Sequence, residues 1–160
     1  MLEIKHISKT FNPGTVNEKQ ALNGLSLTLK DGDFVTVIGG NGAGKSTLLN
    51  AIAGVWLVDE GQILIDGKDV TRLPEYKRAA FLGRVFQDPM NGTAATMGIE
   101  ENLALAFRRG GKRGLRQGIN NSERKLYRDL LAGLGLGLEN RLTSKVGLLS
   151  GGQRQALTLL

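Results

Sequence analysis

The sequence contains no cysteine, which excludes disulfide bonds and thiolate metal sites throughout its 160 residues. It has no apolar run that approaches the roughly 18 residues of a membrane-spanning helix. The first nine residues, Met1–Lys9, also lack the apolar stretch of a secretory signal peptide. These absences predict a cytoplasmic protein, so that any association with a membrane comes through a partner.

Positive charge is concentrated in one short segment. The formal net charge is +6, and a window without any acid holds five of the cations: Arg108, Arg109, Lys112, Arg113 and Arg116. This basic cluster allows three interpretations, a solvated loop, a surface for a membrane or a partner protein, or a contact with nucleic-acid phosphates. No aromatic residue lies among these cations to stack on bases, which favours the solvated loop and disfavours nucleic acid.

Apolar patterning predicts five strands in the first part of the chain. Leu2–Ile7 and Leu22–Leu29 are interpreted as strands, and in the second of them leucines alternate with polar residues as in a half-buried sheet. Phe34–Ile38 is almost continuously apolar, which is typical of a strand buried on both faces. Gln62–Asp66 and Phe81–Phe86 complete the set.

Helical spacing is predicted at two places in this first part. One helix begins at about Lys45 and ends at Gly54, with Leu48, Leu49, Ile52 and Ala53 on one face. A short helix begins at Pro74 and runs to about Ala80, because proline suits the first turn of a helix.

Beyond Gln87 the pattern becomes helical. One apolar helix face is formed by Ile99, Leu103 and Phe107. A second face is formed by Leu126, Leu130 and Leu134, with Ser122 as the predicted N-cap. Strands therefore dominate before Gln87 and helices after it.

One glycine-rich segment matches the phosphate-binding pattern G-x-x-x-x-G-K-[ST] completely: Gly39, Gly40, Asn41, Gly42, Ala43, Gly44, Lys45 and Ser46. Glycines let the backbone N–H groups turn toward phosphate oxygens, and the helix that follows directs its positive end at the same place. We expect Lys45 to bind the β- and γ-phosphates and Ser46 to ligate Mg²⁺. Thr47, the next residue, is included in the predicted nucleotide site.

A second motif narrows the family. Leu149, Ser150, Gly151, Gly152 and Gln153 resemble the signature sequence of ATP-binding cassette (ABC) proteins. The resemblance extends over the whole chain. It implies that Phe11 stacks on adenine, and that Gln87 contacts Mg²⁺ and the attacking water and senses a transmembrane partner. His6, the single histidine, lies in the first predicted strand and is interpreted as structural.

The resemblance also implies a fold. We expect an α/β protein with a P-loop NTPase (RecA-like) core, an N-terminal antiparallel β subdomain and a helical signature subdomain. The predicted divisions are residues 1–87 for the core and β subdomain, 88–150 for the helical subdomain, and 151–160 for the start of the signature helix. Two such chains would pair head-to-tail, with each ATP held between one chain's phosphate loop and the other chain's signature.

Family members continue after the signature into a strand that ends in Asp-Glu, which holds the metal and polarises the attacking water, and later into a histidine. This sequence ends at Leu160, inside the signature helix. No catalytic residue can therefore be assigned, and the C-terminal core strands are missing. We expect a truncated ABC ATPase that binds ATP and, by itself, does not hydrolyse it.

The resemblance favours an ATP-binding subunit of a bacterial transporter, most similar to importer cassettes for small solutes such as amino acids. Separate permease chains would hold it at the inner face of the cell membrane. Two alternatives stay open, a soluble ABC protein that acts on ribosomes or DNA, and a non-catalytic ATP-binding fragment. The transported solute and its direction are not determined by these residues.

Overall fold

The computed structural model describes residues 1–111 and 118–160, which form two compact units, Met1–Leu82 and Gly83–Leu160. Three cations of the basic cluster, Lys112, Arg113 and Arg116, lie outside the described residues. Each unit is described by itself below.

The first unit is built on an antiparallel sheet of four strands. These are β1 (Leu2–Phe11), β2 (Lys19–Leu29), β3 (Glu60–Ile65) and β4 (Lys68–Asp69), in the order β2-β1-β3-β4. One face of the sheet buries apolar side chains, including Ile4, Ile7, Leu22 and Ile63. The predicted antiparallel β subdomain is therefore present, and its strands β1 and β2 are longer than the apolar pattern indicates.

Helix α1 (Lys45–Ala53) packs its Leu48 and Ala51 side chains into this core. It ends at Gly54, whose φ of 85° is the left-handed conformation that the sequence predicts for a helix stop. Leu49 was expected on the buried face, but it is 57% exposed. The second helix, α2 (Glu75–Arg78), follows Pro74 and is shorter than predicted.

Two predicted strands are absent from the described residues. Phe34–Ile38 has no strand pairing, and the Phe34 and Ile38 side chains are 94% and 89% exposed. Phe81–Phe86 likewise forms no strand. A strand buried on both faces exists only where neighbouring strands accept its backbone hydrogen bonds, and no described residue pairs with either segment.

The second unit is helical, with α3 (Ile99–Phe107), α4 (Asn121–Ala132) and α5 (Gly151–Leu159). Three short 3₁₀ turns accompany them among the described residues of this unit: Pro89–Gly92 precedes α3, and Leu138–Asn140 and Val146–Leu148 lie between α4 and α5. The core combines side chains from all of these helices, including Ile99, Leu103, Tyr127, Leu131 and Leu157.

The details of α3 and α4 correct three predictions. Asn120 is the N-cap of α4, since its side chain accepts from the Glu123 N–H, whereas Ser122 already lies inside the helix. Tyr127 and Leu131 form the buried face of α4, while Leu126 and Leu130 are 40% and 43% exposed. Phe107, expected on the buried face of α3, is 62% exposed.

These corrections have a common physical cause. Helical spacing defines a stripe of apolar positions but not which edge of that stripe contacts a neighbour. In the structure, the side of α4 that carries Tyr127 and Leu131 is the buried one. The Tyr127 ring also makes a T-shaped contact with the Phe107 ring, with centroids 6.4 Å apart.

Among the helices of residues 1–111 and 118–160, none has the length and apolar character needed to cross a bilayer. Within the same residues, no group of three or more His, Cys, Asp or Glu side chains is arranged to hold a metal ion.

Candidate functional site

The loop Gly39–Ser46 turns on itself around the side chain of Lys45. The Lys45 Nζ donates hydrogen bonds to the Gly39 and Gly40 carbonyl oxygens, at 2.6 and 2.7 Å. The ammonium group of the first residue of α1 thus lies against the carbonyl oxygens at the start of the loop. Lys45 is half-buried, and the rest of the loop up to Ala43, including Asn41, is exposed.

Two glycines of the loop have conformations that side chains disfavour. Gly42 and Gly44 have φ angles of 81° and 84°. A Cβ on Gly44 would lie 2.4 Å from the Ala21 carbonyl oxygen, because the loop passes directly over β2. The glycine at this position therefore serves both the backbone angle and the close approach to the sheet.

The N-terminal end of α1 is free of competing groups. Gly44 occupies the N-cap without a side chain, and no acidic residue lies in the first turn. The Ser46 side chain is exposed and that of Thr47 is half-buried. Such an end presents N–H groups and the positive pole of the helix to an anion.

Phe11 ends strand β1 and is half-buried. Its ring makes a T-shaped contact with the Trp56 ring, with centroids 5.5 Å apart and planes at 83°. Trp56 is the single tryptophan of the chain and is 43% exposed. Sequence reasoning missed this aromatic neighbour, since the two residues are far apart in the chain and only the fold brings them together.

Lys19 is a second residue that sequence reasoning missed. It pairs with Phe11 in the β1–β2 ladder. A Cβ on Gly42 would lie 3.1 Å from the Lys19 Nζ, which places this ammonium beside the loop. A second cation next to the loop adds to the attraction for phosphates. Lys19 could be identified only once the pairing of β1 with β2 was known.

The signature residues lie in the second unit, at the start of α5. Ser150 is the N-cap of this helix: its Oγ accepts from the Gln153 N–H at 3.3 Å, and the Gln153 Oε1 accepts from the Ser150 N–H at 3.2 Å. Leu149 is buried, and the positions of Gly151 and Gly152 open into free space. The signature is a self-capped helix end whose two glycines leave its first turn accessible.

Gln87 lies in an irregular, exposed segment of the second unit. The next residue, Asp88, caps the turn Pro89–Gly92 by accepting from the Met90 N–H at 2.9 Å. Gln87 therefore lies in a loop directly before a capped turn. Its contacts with Mg²⁺ and water remain a prediction.

The second unit also contains a cleft of about 480 Å³. It is lined mostly by apolar side chains, among them Leu103, Phe107, Tyr127 and Leu159. None of the predicted nucleotide or signature residues line this cleft, so it contributes nothing to the nucleotide site.

Comparisons with known proteins find relatives that match almost the whole of this chain. The chain is 46% identical to the tyrosine transport ATP-binding protein of Clostridioides difficile, over its whole length and 63% of that relative. It is 34% identical to a spermidine/putrescine import ATP-binding protein of Haemophilus influenzae, over 99% of this chain and 38% of the relative. The chain therefore spans less than two thirds of the length of these relatives.

A solved structure shows the same fold. It is an ATP-binding cassette in a dimeric post-hydrolysis state with ADP and Pi, 29% identical to this chain, with a TM-score of 0.76. The match covers 99% of this chain and 67% of that one. It confirms the predicted fold class. The family model described as ABC transporter matches residues 22–160, and the chain therefore belongs to the ABC transporter family of ATP-binding cassettes.

Proposed function

We propose that this chain is the nucleotide-binding portion of the ATP-binding subunit of a transporter, and that the whole subunit hydrolyses ATP to drive transport. The loop geometry carries this proposal. The Lys45 ammonium lies 2.6 and 2.7 Å from two loop carbonyls at the uncapped end of α1, ready to exchange these neutral acceptors for phosphate oxygens.

The binding step can be tested with the protein's own fluorophore. Trp56 lies beside Phe11, so adenine that stacks on Phe11 should change the Trp56 emission. We expect saturable quenching with ATP, and a Lys45→Ala variant should bind on the order of tenfold to a hundredfold more weakly. Lys30→Ala, at an exposed position away from the loop, is the matched control. Equal affinity in the two variants would contradict the proposal.

We propose Mg²⁺ as the second component of the site. Mg²⁺ keeps several waters and is held by one or two protein oxygens together with substrate phosphates, so it needs no dedicated cage. The exposed Ser46 hydroxyl in the first turn of α1 fits this requirement. When bound, the ion would neutralise phosphate charge. A Ser46→Ala variant should lose the Mg²⁺ dependence of ATP affinity while retaining metal-free binding.

The signature supports an ATP-dependent, head-to-tail dimer. The first turn of α5 is accessible at Gly151 and Gly152, and Ser150 adds a hydroxyl to the N–H groups there. This is a second phosphate-recognising helix end, available to a nucleotide bound by another cassette. In the full-length subunit, sedimentation should show a dimer with ATP and a monomer without it, and a bulky Gly151→Trp change should abolish the dimer.

We further propose an importer-type subunit for a small solute such as an amino acid, since one relative is named for tyrosine transport and another for spermidine/putrescine import. Permease chains would hold this subunit at the cytoplasmic face of the membrane. Nucleic acid is disfavoured as a partner. Arg108, one cation of the basic cluster, forms an ion pair with Glu123 at 2.7 Å, which offsets part of the positive charge that a phosphate backbone would need. Co-purification of the full-length subunit with a multi-helix membrane protein would support this role, and salt-sensitive RNA or DNA binding would contradict it.

A further inference from the structure

A buried arginine lies at the end of α1 opposite to the phosphate loop. Arg78, the last residue of α2, is 0% exposed. Its Nη1 donates to the Ala51 and Ile52 carbonyl oxygens at 2.6 and 2.9 Å. These are carbonyls of the last turn of α1, where the regular helical hydrogen bonds end, and the Ala51 carbonyl also accepts from the Gly54 N–H at 3.3 Å.

The same guanidinium holds a second segment. Its Nε donates to the Leu73 carbonyl oxygen at 2.8 Å, and its Nη2 donates to the Thr71 carbonyl oxygen at 2.8 Å. Thr71 in turn is fixed to strand β3, since its Oγ1 accepts from the Ile63 N–H at 2.9 Å. One planar group thus connects the C-terminal end of α1 to the sheet of the first unit.

The helix stop at Gly54 leaves space for the Arg78 guanidinium. A Cβ on Gly54 would lie 2.8 Å from the Arg78 Nε, so only glycine admits the guanidinium at the helix stop. The C-terminal end of a helix carries partial negative charge, which compensates a buried cation. Asp69, close enough to act on Arg78 electrostatically, adds further compensation.

We propose that Arg78 is a positioning residue for the nucleotide site. Arg78 holds the C-terminal end of α1 through its hydrogen bonds. The helix is only about 13 Å long, so this end is close to the N-terminal end that would receive the phosphates. A shift of this helix along its axis would move the loop residues Gly44 and Lys45 away from the phosphate oxygens. Small misplacements of this kind weaken binding strongly, because the contacts are short and directional.

The inference rests on the proposed ATP site, and the experiment tests both separately. Wild type, Arg78→Met and Arg78→Lys are titrated with ATP, ADP and AMP by calorimetry. Wild type that fails to bind ATP refutes the proposed function. If wild type binds, we expect Arg78→Met to lose about tenfold for ATP, less for ADP and least for AMP, because a displaced helix end loses phosphate contacts.

Arg78→Lys retains the charge but not the planar fork, so it should recover part of the ATP affinity and leave a loss of about threefold relative to wild type. Ile4→Ala is the control, since Ile4 is buried in the same core but its apolar side chain donates no hydrogen bond to the α1 carbonyls. Far-UV circular dichroism selects a temperature at which all variants are folded.

A purely structural role predicts that Arg78→Met matches Ile4→Ala, or that all three nucleotides lose affinity equally, and either result overturns the proposal. Should the methionine variant not fold, the lysine variant decides by itself: a threefold loss for ATP that diminishes for AMP supports the proposal, and no loss overturns it.

Discussion

Gly44 has the most demanding backbone in the phosphate loop. A Gly44→Ala variant combines a φ of 84° with a Cβ 2.4 Å from the Ala21 carbonyl oxygen. We expect the free energy of unfolding of the first unit to fall by about 1–3 kcal/mol, and ATP affinity to fall as well. Urea unfolding followed by Trp56 fluorescence measures the first quantity.

Gly40→Ala is the matched control in the same loop. A Cβ at Gly40 meets no atom within 4 Å. We therefore expect little change in the free energy of unfolding. A Gly40 variant that is destabilised as much as the Gly44 variant would show that glycine flexibility in general, and not the contact with β2, matters at this loop.

Asp69 provides a prediction about pH. Hydrogen bonds from the Thr71 hydroxyl, the Gln62 side chain and the Thr71 N–H hold the pKa of Asp69 at about 2, below its ordinary value of 3.8. A lowered pKa means that the carboxylate stabilises the folded state above its ordinary pKa, and that this contribution disappears as pH falls through about 2.

The measurement compares wild type with Asp69→Asn in urea titrations over a range of pH. We expect the difference in free energy of unfolding to be constant above about pH 5 and to shrink steadily between about pH 4 and pH 2. A difference that grows with acidity would have the wrong sign and would contradict the hydrogen-bonding arrangement around Asp69.

At the scale of secondary-structure elements, α4 tests which residue caps a helix. The Asn120 side chain accepts from the Glu123 N–H at 2.8 Å, and the Glu123 side chain accepts from the Asn120 N–H at 2.9 Å. We expect Asn120→Ala to lower the free energy of unfolding of the second unit by about 1 kcal/mol.

The sequence alone favoured Ser122 as this cap, and Ser122→Ala is the matching comparison. Ser122 donates its hydroxyl to Asn120 rather than accepting from a helix N–H. The loss should therefore be smaller than for Asn120→Ala, as measured by thermal unfolding followed by far-UV circular dichroism. The opposite order of effects would restore Ser122 as the cap.

For strands, the difference between prediction and structure has a clear origin. The pattern of β1 and β2 was sufficient, because each pairs with a nearby segment of the same sheet. Phe34–Ile38 has an equally strong apolar pattern but no strand partner among the described residues, and its side chains remain exposed. Burial of a strand depends on its neighbours, and the strand's own sequence does not encode them.

At the scale of the molecule, ATP should stabilise one unit more than the other. A ligand that binds only the folded state stabilises it by about 2.7 kcal/mol at one hundred times its Kd. The phosphate loop and the single tryptophan both lie in Met1–Leu82. We therefore expect ATP to shift the urea transition seen by Trp56 fluorescence to higher concentration.

Lys45→Ala gives the control for this linkage, since its weaker binding should reduce the shift at the same ATP concentration while leaving the transition without ATP nearly unchanged. Both proteins are compared at equal protein and Mg²⁺ concentrations. An equal shift in wild type and variant would mean that ATP acts elsewhere than at the loop.

The local conformation of the glycine-rich loop was predictable because it depends on local chemistry. Gly39–Ser46 needs particular residue types at particular spacings, and the structure shows the expected loop, helix start and glycine angles there. Neither Trp56 beside Phe11 nor Lys19 beside Gly42 was predictable. These neighbours come from the strand register and from the path of the chain after α1, which no short pattern records.

The residue pattern was enough to recognise the family and to predict a phosphate loop and a signature, since both motifs are continuous segments whose residue types carry their chemistry. The three-dimensional fold was needed to show which apolar residues are buried, which residue caps α4, and that Arg78 bonds to carbonyls in the last turn of α1. These features join segments that are distant in the chain. Their energies arise from desolvation and from hydrogen bonds between those segments, and only folding brings such groups into contact.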